Sequence, residues 1–218
     1  MIDEAHNLMD AIAGIYSVSV TLEQVQQART QVTAYLLKFR NKLKGKNRVY
    51  VAQILRILDA IIIYLQSKSA DPKATDDVVD VGALMSGKGV DQINMYKLCG
   101  YLQESRLARK VDGYTTYHEQ SQRDGAKEAM KNDAQQRARH TVPVLTHVQS
   151  FLVSLMNPSA EGRFFCAQEE SNSITLKYML LDPTFHFKEI VEDARAVVLA
   201  GGTMSPVPLT LSATSTYC

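Results

Sequence analysis

The chain has 218 residues, of which 45% are hydrophobic and 22% charged. This composition is typical of a globular domain with a sizeable core and excludes a disordered chain. The formal net charge is only +1, so no global field attracts nucleic acid or membranes and any basic surface must be local. The longest apolar run, residues 60–65, is too short to cross a bilayer, and the acidic start predicts no secretory signal.

The three cysteines are widely spaced and form neither a CxxC pair nor a plausible zinc set. This pattern favours a reduced intracellular compartment. Four histidines also lack the spacing of metal ligands, so we expect structural or surface roles for His118, His140, His147 and His186.

Hydrophobic periodicity predicts helices in the first three quarters of the chain. A capping box at Thr21 and Gln24 opens the first helix, and Gly45 is its natural stop. The second helix is apolar on two faces, as expected of a helix buried between neighbours. The predicted helices cover residues 22–43, 49–65, 91–109 and 143–155.

Other stretches break the helical pattern. Residues 66–89 lack sustained periodicity and are predicted to be a linker, while residues 112–140 contain no Leu, Ile, Val or Phe. The latter segment buries little and is either a mobile loop or a solvated helix. Later in the chain, β-branched and aromatic residues predict strands over 163–167 and 174–181. Residues 196–200 are continuously apolar, which predicts a buried strand of a parallel sheet that ends at a ligand-binding loop.

The N-terminal residues Asp3-Glu4-Ala5-His6-Asn7 carry the first candidate chemistry. In nucleotide hydrolases, an aspartate at a strand end holds Mg²⁺ on the phosphates, and a neighbouring glutamate polarises the attacking water. A histidine two residues further on can sense the γ-phosphate and report to a loop on the next strand. The four residues Asp3-Glu4-Ala5-His6 could also occur by chance in an exposed acidic N-terminus. A second segment, Gly201-Gly202-Thr203-Met204-Ser205-Pro206, has the character of that partner loop.

Together these two segments resemble motifs II and III of the XPD-like branch of superfamily 2 DEAH-box DNA helicases, the iron–sulfur helicases. The similarity is greatest to the branch that acts in sister-chromatid cohesion, and it extends through residues 35–55, 91–113 and 175–202. The resemblance implies an α/β fold in which a large, mostly α-helical arch domain is inserted in a partial RecA-like motor domain, with a few β-strands in the C-terminal third. It places the end of the motor domain around motif II at 1–20, the arch at 21–160 and a β-rich return to motif III at 161–206.

The resemblance also assigns residue roles. It implies that Asp3 is the Mg²⁺ ligand, Glu4 the water-activating base, and His6 and Thr203 the pair that couples nucleotide state to DNA. Gly201 and Gly202 would contact the nucleotide. ATP, Mg²⁺ and a 4Fe-4S cluster are the implied cofactors of the complete protein, with single-stranded or forked DNA and replication or cohesion proteins as its partners. A nuclear location and a 5′-to-3′ polarity follow from the same resemblance.

Several departures from the family predict that the chain is a fragment. These 218 residues contain no Walker A loop, no set of four cysteines for the cluster and no second motor domain with its arginine. Residues 207–218 are charge-free and unlike the expected continuation, which indicates an aberrant tail. We therefore expect the chain alone to be inactive.

A run of six cations in eleven residues is the second candidate site. Two interpretations are open. A solvated helix C-terminus favours Lys and Arg because they offset the negative end of the helix dipole. A channel for a DNA strand uses the same residues to contact the DNA backbone. A smaller basic cluster consists of Arg106, Arg109 and Lys110. Tyr101 and Tyr114 lie near it in the sequence and could stack on bases, although tyrosines at helical spacing are usually core residues. The candidate DNA contacts are Lys38, Arg40, Lys42, Lys44, Lys46, Arg48, Arg106 and Arg109.

A non-catalytic alternative remains open at this point. The chain would then be a helical interaction module, and residues 76–81 would be a short acidic and apolar peptide for another protein to capture. An ordinary loop explains those residues equally well.

Overall fold

The computed structural model describes residues 7–69, 77–87, 89–123, 143–157, 161–168 and 173–198. Over this part the chain is mostly helical, with one four-stranded antiparallel sheet. The elements in chain order are α1 Leu8–Tyr16, β1 Val18–Thr21, α2 Leu22–Phe39, α3 Gly45–Ser69, β2 Asp77–Val79, α4 Val81–Leu84, α5 Met95–Ser105, α6 Leu107–Arg123, α7 Val144–Ser154, β3 Gly162–Gln168, β4 Ile174–Leu180 and α8 Thr184–Asp193.

The sheet has the strand order β1-β4-β3-β2. Strands β3 and β4 pair along their full length, from Gly162 opposite Leu180 to Gln168 opposite Ile174, and they confirm the two strands predicted in this region. The edge strands β1 and β2 come from the first half of the chain and join the strands that were expected in the C-terminal third. Four residues or fewer in each edge strand carry too little periodicity to be recognised in a sequence.

The predicted buried parallel strand at 196–200 is also wrong over the residues that the structure describes. Residues 196–198 form no strand, and Val198 is 57% exposed. Within this run, Val197 is apolar because it packs against a small cluster formed by Ile12, Leu180 and Phe187. Residues 199 and 200 lie outside the described part of the chain.

The helix boundaries show what capping adds to periodicity. The capping box of α2 is confirmed, since the Gln24 amide donates to Thr21 Oγ1 at 3.2 Å and the Thr21 amide donates to Gln24 Oε1 at 3.0 Å. The helix ends earlier than predicted, at Phe39, whose carbonyl accepts from the amides of both Lys42 and Leu43 in a tight turn. Gly45 therefore begins α3 instead of ending α2.

The helix predicted over 91–109 is in fact two helices. Asn94 caps α5 by accepting from the Lys97 amide at 3.0 Å, and α5 ends where Arg106 adopts a left-handed conformation with φ of 50°. Helix α6 starts at the next residue. Arginine carries no sequence signal for a left-handed cap, because glycine or asparagine usually occupies such a position.

Both irregular stretches contain more structure than predicted. The predicted linker at 66–89 includes the last turn of α3, strand β2 and helix α4, while residues 70–76 and 88 lie outside the described part. Residues 112–123 belong to α6, which fits the solvated-helix interpretation, and residues 124–142 are not described. Strand β2 escaped the prediction because only Val79 of its three residues is buried.

Helix α3 is the centre of the main core. By length and composition it could cross a membrane, with a mean hydropathy of 1.6 over its most apolar window. Here its apolar side chains pack into the core formed with α2, α5, α7 and the sheet. Its buried residues are Val51, Ile54, Ile57, Leu58, Ile61, Ile62 and Leu65.

Candidate nucleic-acid interface

The predicted catalytic residues lie outside the part of the chain that the structure describes. Residues 1–6 and 199–218 are not described, so the assigned roles stay predictions. They concern Asp3, Glu4, His6, Gly201, Gly202 and Thr203.

The described segments nearest to both motifs meet at one place. Leu8 follows His6 by two residues, and Val197 precedes Thr203 by six. Both side chains pack against the small cluster of Ile12, Leu180 and Phe187. A stacked ring pair, Tyr16 on His186 with centroids 3.8 Å apart, also joins α1 to α8. The described residues that follow the first motif and precede the second in the sequence therefore pack on the same cluster.

The six-cation run forms a continuous basic surface, which we call the α2–α3 patch: Lys38, Arg40, Lys42, Lys44, Lys46 and Arg48. It covers the last turn of α2, the connecting turn and the first turn of α3. Phe39 and Leu43 pack against the core and anchor the turn from beneath, while all six cations are exposed. Among the described residues, no carboxylate lies within ion-pair distance of any of the six.

The helix dipole explains only part of this patch. Lys38 and Arg40 lie at the C-terminal end of α2, where cations are favoured. Lys46 and Arg48 instead lie in the first turn of α3, which holds no acidic residue. Cations at a helix N-terminus oppose the positive end of the dipole, at a cost of about 0.3–1 kcal/mol each. Helix stability therefore does not account for them, whereas an anionic ligand would.

The second basic cluster lies at the junction of α5 and α6. Arg106 forms the left-handed turn, and Arg109 and Lys110 occupy the first turn of α6, which contains no acidic residue. All three side chains are exposed. Of these three cations, only Lys110 lines a cavity that also reaches the α2–α3 patch.

That cavity is an open groove of about 790 Å³ between the start of α3, the length of α5 and the start of α6. Lys46, Lys97 and Lys110 contribute its cations, and Glu104 is its only carboxylate. An adjoining cavity of about 240 Å³ shares Lys46, Tyr50 and Lys97 with it. The groove therefore joins the two basic clusters that the sequence predicted separately.

A stacked tyrosine pair lies in the groove. The rings of Tyr50 and Tyr101 are 4.5 Å apart and inclined by 16°, and both residues are half-buried. Burial raises the pKa of Tyr101, so its hydroxyl stays protonated at neutral pH. Tyr114 has a different role, since it packs edge-on against Phe39 and Tyr35 in the core, as its helical spacing predicted.

Lys97 and Tyr50 were missed as site residues, although a signal for them exists. Lys46 precedes Tyr50 by four positions, and Lys97 precedes Tyr101 by the same interval. Residues four apart lie on one helix face, so each helix offers a lysine next to a tyrosine. The repeated Lys-x₃-Tyr spacing could have drawn attention to both helices.

The described cysteines do not form a metal site. Cys99 and Cys166 are buried on different elements, and burial raises the pKa of both thiols, which keeps them protonated. No group of three or more His, Cys, Asp or Glu side chains in the described ranges could hold a metal ion.

Comparison with known proteins identifies relatives for nearly the whole chain. It is 58% identical over 207 residues to the ATP-dependent DNA helicase chl1 of Aspergillus niger, and 55% identical over 207 residues to that of Coccidioides immitis. The chl1 helicase of Schizosaccharomyces pombe is 38% identical over 214 residues. Each match covers 95% of this chain. The chain is related to the chl1 DNA helicases.

The chain spans about a quarter of the length of these chl1 relatives: 22%, 23% and 25% respectively. No family model matches it. Among solved structures, Xpd4 of S. tokodaii aligns with 96% of this chain and 34% of its own, at a TM-score of 0.47 and 14% identity. Similarity at that level supports no conclusion about function.

Proposed function

We propose that this chain is the segment of an ATP-dependent DNA helicase that runs from motif II, through the helical arch insertion in a RecA-like motor domain, to motif III. The observation that carries the proposal is the identity of 38–58% to chl1 helicases over 95% of the chain. Identity at this level extends beyond the two short motifs into the irregular sequence between them. The complete protein would track along DNA from 5′ to 3′ in the nucleus, in replication, repair and sister-chromatid cohesion.

In this proposal, Asp3 and Glu4 divide the work at the nucleotide. Carboxylate oxygens are hard ligands that suit Mg²⁺, so the donor chemistry of Asp3 fits the ion. When bound, Mg²⁺ would offset charge on the ATP phosphates. Glu4 would take a proton from the attacking water, because water is a poor nucleophile until that proton has an acceptor.

His6 and Thr203 would link the nucleotide to the DNA. Support comes from the way in which Leu8 and Val197 pack on the same cluster. Gly201 and Gly202 would allow the backbone of motif III to approach the nucleotide closely.

The DNA contacts are proposed for the α2–α3 patch and for Arg106 and Arg109. Exposure of all eight cations, and the position of Lys46, Arg48 and Arg109 in first turns without acidic residues, support an anionic partner. A single strand with its regular phosphate charges is such a partner.

The iron–sulfur cluster does not fit the residues present here. A 4Fe-4S cluster takes four thiolates, and the chain has three cysteines in all. Two of these are buried thiols with raised pKa values on separate elements. In this proposal, the cluster ligands of the complete protein would come from other sequence.

The peptide of the interaction-module alternative takes part in the fold at the edge of the sheet. Residues 77–79 of the candidate peptide form β2 and pair with β3, while Asp80 caps α4 by accepting from the Ala83 amide at 3.0 Å. Asp77 also pairs with Lys68 at 3.2 Å. Residue 76 lies outside the described part, while Asp77 and Val78 are exposed and Val79 is buried.

Replacing the proposed base tests the assignment. In a full-length chl1 relative, the substitution equivalent to Glu4→Gln should leave ATP binding intact and abolish hydrolysis, because the amide cannot accept the proton. ATP binding is measured by filter retention and hydrolysis by phosphate release. Retained turnover would disprove the role of Glu4.

A further inference from the structure

We infer that the groove between α3, α5 and α6 is a binding site for single-stranded DNA, in which the Tyr50–Tyr101 pair stacks on a base and Lys97 and Lys110 contact phosphates. This inference deepens the proposed helicase function and rests on it. The groove is distinct from the residues that were assigned to DNA from the sequence, since it contains only Lys46 from that set.

The arrangement of groups in the groove indicates its ligand. Three lysines from three helices line it with only one carboxylate, Glu104, so its own charge is positive. The two rings present an aromatic stack already aligned within 16° of parallel. Cations beside aromatic faces are the combination with which proteins hold single strands, because phosphates bind the cations and every base has a face that can stack.

The length of the groove fits a short stretch of strand. It follows α5 from Lys97 to Ser105, a distance of about 12 Å at 1.5 Å per residue. A stacked strand places one phosphate about every 3.4 Å along its axis, so the groove would hold roughly three to four nucleotides. Duplex DNA has its bases paired inside the helix and offers none for stacking on the rings.

The test measures binding of a fluorescein-labelled oligothymidylate to the full 218-residue chain by anisotropy, over a range of salt concentrations. Lys97→Gln with Lys110→Gln removes two phosphate contacts, so the log–log salt slope should become shallower by about 1.4. Lys177→Gln with Arg195→Gln is the matched control, because both are exposed cations that do not line the groove. Unchanged affinity and slope in the Lys97 and Lys110 double variant would overturn the inference.

Stacking is tested separately with a strand of the same length that lacks bases. The unchanged chain should bind oligothymidylate at least about fivefold more tightly than the abasic strand, and Tyr101→Leu should abolish that preference. The chain has no tryptophan but ten tyrosines, so this contact is reported by the difference in tyrosine quenching between the unchanged chain and Tyr101→Leu. Equal affinity of the unchanged chain for both strands would overturn the stacking role, as would a preference for duplex DNA.

A different variant separates this inference from the proposed function. Lys42→Glu with Lys44→Glu weakens the α2–α3 patch but keeps Lys46 and the groove. If that variant loses binding while the groove variants bind normally, the groove inference fails and the DNA-binding proposal stands. If the unchanged chain binds no oligothymidylate, both fail.

Discussion

Reversing three charges in the α2–α3 patch gives the sharpest test of its role. We expect Lys42→Glu, Lys44→Glu and Lys46→Glu together to abolish binding of single-stranded DNA by the 218-residue chain. With a net charge of +1, the affinity must come from a few local phosphate contacts. Three or four contacts give a log–log salt slope of about −2.1 to −2.8, so affinity should fall roughly 20- to 50-fold between 50 and 200 mM salt.

The structure also predicts the sign of the stability change. Lys42 and Lys44 are exposed in the turn, where their charges contribute little to folding. Lys46 lies in the first turn of α3, and a glutamate there would favour the helix dipole by about 0.3–1 kcal/mol. For a chain of this size, that gain raises the melting temperature by roughly 1–4 °C. The variant should thus be slightly more stable than the unchanged chain while it no longer binds.

Two measurements check this prediction: fluorescence anisotropy across a salt series and thermal unfolding by circular dichroism. The matched control reverses three exposed cations away from the patch, Arg56, Lys177 and Arg195. It changes the net charge equally and should keep most of the binding. If the patch variant binds with unchanged affinity and slope, the patch is only a solvated helix end.

Two further predictions concern catalysis and the fold. The 218-residue chain should show no Mg²⁺–ATP turnover above background, because its sequence contains no phosphate-binding loop and no arginine from a second motor domain. Loss of such an arginine alone costs roughly 10³–10⁵ in rate. Phosphate release by the purified chain would refute this prediction. The Asp112 carboxylate accepts hydrogen bonds from Thr146 Oγ1 at 3.0 Å and from backbone amides at the start of α7. Asp112→Ala should therefore lower the free energy of unfolding, measured by urea denaturation, by about 1–2 kcal/mol, and Asp112→Asn should lower it less. Burial raises the pKa of Asp112 above its unfolded value, so the folded chain holds the proton of this carboxyl group more tightly than the unfolded chain does. The contribution of Asp112 to stability should therefore decline as pH rises above about 3.8. Equal pH profiles of stability for the unchanged chain and Asp112→Asn would contradict this.

Sequence patterns predicted the elements that follow local rules. The capping box at Thr21, the helix after Pro143 and the paired strands β3 and β4 all carry their signal within a few residues. The edge strands were not predictable in this way, because β1 and β2 are defined by pairing with β4 and β3 far along the chain. The same applies to the candidate site. Its cations are visible in the sequence, but the groove between Lys46, Lys97 and Lys110 exists only once three helices have packed.

The first and last helices of the described part bear on the proposal that a helical arch is inserted in a motor domain. An insertion leaves its host intact only if its first and last residues return to the same place. Leu8 and Val197, which flank the proposed insertion in the sequence, both pack on the cluster of Ile12, Leu180 and Phe187, and β1 pairs with β4 close by. In the proposed function, this cluster would hold the described residues next to both motifs close together, as coupling between His6 and Thr203 would require.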